Sequence, residues 1–125
     1  MSKGIADLVN FATSTAATEH YPTPPEKCVV GAPEQHATTH FAVDDTFFAG
    51  EWGAEVGRWR VEYTESEYFH ILSGRSILHD EAGNSLALLS LHHGTVAERN
   101  AVPSGDPFQY GVEGIVAAAV GFLTC

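Results

Sequence analysis

The sequence predicts an all-β domain, an antiparallel sandwich or barrel with a short helix or arm at its N-terminus. Three observations carry this. From about Lys27 onward the apolar residues follow period two. The β-branched and aromatic runs are broken by Gly, Asp, Asn or Pro at intervals of roughly ten residues, the spacing of sandwich and barrel strands. No strong helical pattern interrupts them. With 125 residues the chain suits one compact domain that buries roughly two thirds of its unfolded surface, and two domains are not expected.

Along the chain, Ile5, Leu8, Val9 and Ala12 fall on one helical stripe and lead into a Thr/Ala-rich stretch, which reads as a short helix or arm. Tyr21-Pro22-Thr23-Pro24-Pro25 follows. Each proline removes a ladder donor and pushes its neighbour toward extended backbone, so this is a linker or an edge segment. Residues 1–24 are read as arm and linker, and residues 25–125 as the β domain. Strands are expected at Cys28–Val30, Thr38–Val43, Phe47–Trp52, Gly57–Thr64, Glu67–Ser73, Ser76–His79, Ser85–Leu91 and Ile115–Phe122, with a weaker segment near Asn100–Val102. Asp44-Asp45 and Ala82-Gly83-Asn84 carry turn chemistry and read as hairpin connections. Alternation puts Trp59, Val61 and Tyr63 on one face of their strand, opposite Arg58, Arg60, Glu62 and Thr64. In the next strand it puts Glu67 on the same side as Phe69 and Ile71, where a carboxylate is costly to bury unpaired.

Six Lys plus Arg against sixteen Asp plus Glu give a net charge of −10. Such a field repels phosphate backbones and anionic lipid heads, so neither nucleic acid nor membrane is an expected partner. The longest apolar stretch, Ile115–Leu123, falls well short of the roughly 20 residues a helical span needs. Met1-Ser2-Lys3 leads into no signal-type apolar region, and a soluble cytoplasmic protein is expected. Cys28 and Cys125 have no metal-type or redox-type spacing, which suits a reducing compartment. Phosphate-loop, nucleophile-elbow and HExxH motifs are absent.

The stretch from Phe47-Phe48-Ala49-Gly50-Glu51-Trp52 through Gly57-Arg58-Trp59 to Gly74-Arg75, with Asp80-Glu81-Ala82-Gly83-Asn84, resembles the cupin superfamily. More narrowly it resembles the small single-cupin family related to the ureidoglycine aminohydrolase cupin domain and to ethanolamine-utilisation Q-type proteins. Pro25-Glu26-Lys27 and Gly31-Ala32-Pro33 look like that family's approach to its barrel. The resemblance implies an antiparallel jelly-roll barrel of the RmlC-like type. The second half of the first cupin motif is present as Glu67, six residues, then Gly74, but the motif's two histidines fall on Val61 and Tyr63, or on Arg60 and Glu62 with a longer spacer. Neither pair replaces two imidazoles at a transition metal. After Leu89 the chain departs from the family pattern: the second motif's metal histidine falls on Phe108, its usual Trp on Tyr110, and a basic pair on Ala117 and Ala118.

Glu67 is the leading site candidate, because motif position and strand face both aim it into a barrel mouth. The bland alternative is a structural ion pair with Arg60 or Arg75. Glu65 and Tyr63 share its parity if the strand continues, which would converge two carboxylates and a phenol as an acid/base set; a solvated turn at Thr64-Glu65-Ser66 is the other reading. Trp59, Val61, Phe69, Phe108 and Tyr110 are core residues of which some line the mouth, with His70 as a further pocket candidate. In an ideal strand His70 lies opposite Glu67, beside Tyr68 and Leu72, as befits a core or interface histidine. His92-His93-Gly94 would suit a divalent metal if a carboxylate came near, and is otherwise a polar turn.

The expectation is therefore a small-molecule-binding cupin with a degenerate, metal-free site and no cofactor. Its acidic lining favours an amine, ureide or polyol, a small polar metabolite. Competing readings are a hydrolase or lyase acting on a small nitrogenous metabolite with Glu67 as general base, and a structural dimer module. A homodimer is expected because the strands at 47–52 and 67–72 carry large apolar residues on both faces, which the arm or a second copy must cover.

Overall fold

The computed structural model describes residues 4–61, 65–80, 82–96, 108–112 and 116–123, with the backbone alone at 108–112, 116–117 and 122–123. Period-two alternation becomes β1 (Glu19–Pro22), β2 (Cys28–Val30), β3 (Glu34–Val43), β4 (Phe47–Ala54), β5 (Gly57–Val61), β6 (Ser66–Ser73), β7 (Arg75–His79), β8 (Ser85–Leu89), β9 (His93–Val96), β10 (Phe108–Val112) and β11 (Val116–Leu123). They form a six-stranded sheet ordered β1-β3-β4-β11-β6-β9 and a five-stranded sheet ordered β2-β5-β10-β7-β8. From β4 to β7 the chain changes sheet at every connection, and again from β8 to β11. Every strand pairing is antiparallel. This is the jelly-roll wrapping of two sheets face to face, which buries both inner faces at once.

The core lies between the sheets. Ala54, Phe69, Ile71 and Ala118 from the larger sheet meet Trp59 and Leu88 from the smaller, with Trp52, Val61, Leu78, Val96 and Val120 packed against them. Burying side chains such as Phe69 and Ile71 stabilises the fold by about 1.5–3 kcal/mol each. The indoles of Trp52 and Trp59 lie 6.1 Å apart. One polar relay crosses this region: Trp52 Nε1 donates to Gln35 Oε1 (3.1 Å), Gln35 Nε2 donates to Thr23 Oγ1 (2.9 Å), and Thr23 Oγ1 donates to the Pro33 carbonyl (2.7 Å). Thr23 and Gln35 are both buried, and the relay supplies partners that they would otherwise lack.

Both expected hairpins form. Asp44 takes a left-handed φ of 47° between β3 and β4, and Gly83 a φ of 90° between β7 and β8. Asp80 closes the second turn by accepting from the backbone and side-chain amides of Asn84 at 2.8 and 3.0 Å.

Several boundaries differ from the sequence reading. The N-terminal stripe gives only a 3₁₀ turn at Ile5–Asp7, closed by Gly4 N donating to Asp7 Oδ2 at 2.8 Å. A helix this short needs a packed face to survive, and Ile5 and Leu8 are 88% and 66% exposed. The proline-rich segment opens as edge strand β1, where the missing donor of Pro22 is tolerated. The strand expected to reach Leu91 stops at Leu89, because Leu91 turns left-handed at φ 73° and His92 Nδ1 accepts from the Leu89 amide at 3.0 Å. That turn lets His93 and Gly94 pair with β6 as part of β9, where a loop was expected. Strand β10 was not anticipated, although Phe108, Tyr110 and Val112 alternate. Residues 62–64, the weak segment at 100–102 and Ile115 lie outside the described residues.

A bulge in β3 positions one more group. Alternation from buried Gln35 sets His40 on the outer face of the six-stranded sheet, and the register shift against β4 between Thr39 and Phe41 brings Phe41 to that face as well, opposite Ala49. Glycine is required opposite, because a Cβ at Gly50 would run into the Thr38 carbonyl oxygen.

Candidate functional site

Glu67 opens β6 on its inward face, two residues before buried Phe69 and four before buried Ile71. Its cross-strand positions are Val96 on β9 and Phe122 on β11. Burial in this hydrocarbon setting is the main cause that pushes its carboxyl from 4.5 up to about 7, and the nearby charge of Glu65 adds to the rise. Neither of the two ion pairs among the described residues involves Glu67. Arg60 belongs to the opposite face of β5 from Trp59 and Val61, and Arg75 is exposed. A carboxyl with a pKa near neutrality exists in both forms at physiological pH, so it can accept a proton or donate one.

The expected set is only partly assembled. Glu65 lies close enough to Glu67 to repel its charge. Tyr63 lies outside the described residues. Trp59, Val61 and Phe69 do come together inside the barrel, Trp59 and Phe69 as buried core and Val61 half-buried beside them. Phe108 and Tyr110 occupy β10 opposite Val61 and Trp59 in register, and their side chains lie outside the described residues. His70 is not brought to Glu67. Strand alternation places it on the outer face, where its ring lies 5.7 Å from that of His93, its cross-strand partner.

Among the described residues no group of three or more His, Cys, Asp or Glu side chains is placed to hold a metal ion. The position that would carry a first-motif histidine holds Val61, packed with the core. The ring of Phe69 stands 3.2 Å from where a Cβ of Gly94 would project, filling the space across β9. One carboxylate among hydrocarbon walls is not a transition-metal donor set. His92 and His93 do not supply the missing donors, since His92 Nδ1 is engaged by the Leu89 amide and His93 faces outward beside His70.

Two further groups lie outside the set expected from the sequence. Ser76 is fully buried on the inner side of β7, and its hydroxyl has no hydrogen-bond partner among the described residues. Phe11 stacks on the His40 ring at 4.4 Å and 23°. An aromatic residue standing alone in the Thr/Ala-rich arm was the available clue to the second, while nothing in the Ser-Ile-Leu run marks the first.

Comparison with known proteins agrees with this architecture. Residues 41–94 match the family model described as EutQ-like cupin domain. A protein of unknown function from the DUF861 family of Pseudomonas syringae pv. tomato aligns at TM-score 0.71 and 19% identity, covering 88% of this chain and 45% of that one. The chain thus spans less than half the length of that relative. The EutQ protein of Clostridium difficile aligns at TM-score 0.62 and 10% identity over 74% of this chain and 69% of its own. A putative ethanolamine utilization protein from Salmonella typhimurium aligns at TM-score 0.58 and 9% identity over 88% of this chain and 98% of its own. No curated protein matches the sequence. Identities this low carry the fold and nothing finer. Jelly-roll topology, the family-model match over residues 41–94 and these structural neighbours together give the chain a cupin-type jelly-roll fold.

Proposed function

We propose that the barrel mouth around Glu67 binds a small polar metabolite without a metal, and that the carboxyl supplies the orienting hydrogen bond. The observation that carries this reading is a single inward carboxyl, pushed to about 7, set among Phe69, Ile71 and Val96. Small-molecule sites are mostly apolar with a few placed polar groups, and this arrangement has that form. With Glu65 adjacent and no described cation in an ion pair with Glu67, the chemistry favours amines, ureides or polyols over anions.

A second reading, hydrolysis or elimination on a small nitrogenous substrate, draws support from the same value. A carboxyl near neutrality is poised as a general base. One experiment addresses both. A panel of small amines, ureides and polyols is titrated into the native protein and into Glu67→Gln. The variant is expected to lose about 1.5–3 kcal/mol of affinity for the best ligand, the contribution of a charge-assisted hydrogen bond. Unchanged affinity in a folded variant overturns the assignment, and turnover of the ligand by the native protein alone selects the enzymatic reading.

A further inference from the structure

We infer that the outer face of the six-stranded sheet carries a second small-molecule site, an aromatic cage that takes an alkylammonium or arylammonium cation. A cavity of about 540 Å3 lies there, with Ala49, Ala119 and Gly121 as its floor and Phe11, Phe47 and Tyr68 as its walls. The floor is low because its residues are small. A Cβ at Gly121 would meet nothing closer than the Phe48 carbonyl oxygen at 3.8 Å and the Phe47 ring at 4.0 Å. Phe11 reaches the site from the arm and is held by its stack on His40, whose side chain is only 6% exposed and whose Nε2 lies 3.7 Å from Glu51 Oε1. Tyr68 stands 47% exposed on the far wall.

Charge selects the occupant. The six strands of this sheet contain no Lys or Arg, and alternation puts Glu34 and Glu51 on its outer face. Glu51 is the cross-strand partner of Ala119 in the floor, and Ser66 and Glu67 border the cavity. Aromatic faces are the negative ends of ring quadrupoles, so three rings with the Glu51 carboxylate beside their floor attract a cation with an apolar body and offer nothing to an anion. The volume suits a small organic molecule. Tyr68 and Glu67 alternate on β6, so this site and the barrel interior lie on opposite sides of one strand.

The test is isothermal titration of the full chain with benzyltrimethylammonium, benzyl alcohol and benzoate. The cation is expected to bind at least about tenfold more tightly than the alcohol, and benzoate not at all. Phe47→Leu and Tyr68→Leu keep apolar bulk but remove a ring face, and each is expected to weaken the cation about threefold or more. Ala119→Leu raises the floor and is expected to abolish binding, and Gly121→Val repeats that test if the first variant does not fold. Equal affinity for cation and alcohol overturns the proposal. So does cation binding that survives Ala119→Leu and disappears in Glu67→Gln, which would place the ligand inside the barrel and leave the reading of Glu67 standing. Absence of binding, with Ala119→Leu halving the sedimentation mass, also overturns it, since the face would then be a contact between two copies.

Discussion

Replacing Glu67 by Gln should make the protein more stable at neutral and higher pH, and the gain should vanish in acid. The folded-state carboxyl titrates near 7 against an ordinary 4.5. In the unfolded chain the group ionises first, so between these values the folded state binds more protons, and stability falls as pH rises through that window. A gap of about 2.5 at 1.36 kcal/mol per pH unit sets a ceiling of about 3 kcal/mol on the penalty. Residual solvent contact at the half-buried side chain reduces this to about 1–3 kcal/mol. Gln keeps the shape and cannot ionise. Urea unfolding followed by tryptophan fluorescence, at pH values from 4 to 8, should show the native and variant curves meeting near pH 4.5 and diverging until about pH 7. Glu65→Gln, which removes the smaller cause of the rise, should lower the native midpoint and keep the trend. Parallel curves across the range, or a variant less stable above pH 7, would refute the reasoning and make Glu67 an ion-paired structural residue.

Protein purified without a histidine tag and dialysed against a chelator should hold far less than one equivalent of zinc, manganese, iron or nickel by elemental analysis. One retained equivalent would contradict the account of Val61 and Phe69. Gln35→Leu should cost about 1–3 kcal/mol in urea unfolding, because it removes the amide that donates to the buried Thr23 hydroxyl and takes away the acceptor of the Trp52 indole; a neutral substitution would show the relay to be dispensable. Sedimentation equilibrium should give about twice 13.4 kDa, and removing residues 1–9, whose Ile5 and Leu8 are unpacked within one copy, should weaken that association. A monomer, or a dimer indifferent to the truncation, would leave those side chains as plain surface.

Much of the barrel was legible because a strand's faces are fixed by parity alone. Trp59 and Val61, then Glu67, Phe69 and Ile71, were assigned inward from alternation, and the core contains the apolar members of both sets. Hairpin ends were equally local: Asp44 and Gly83 advertise backbone that other residues adopt at a cost. Parity put His70 opposite Glu67 although it was also kept as a pocket candidate, and its neighbour there is His93.

What the sequence determined by itself was the set of residues able to share a face, because period two is a property of the backbone. It did not determine whether a short apolar stripe packs. Ile5 and Leu8 stay exposed because no surface is offered to them, while Phe11 finds the His40 ring only because the folded arm passes over a strand that lies more than twenty-five residues later in the chain. Nor could it fix the ionisation of Glu67, which depends on how completely Val96, Phe69 and their sheet remove water from one carboxyl. The outer cavity is a tertiary product as well. Ala49, Ala119 and Gly121 come from strands far apart in the chain, and only their adjacency in β4 and β11 makes a floor low enough for three rings to surround.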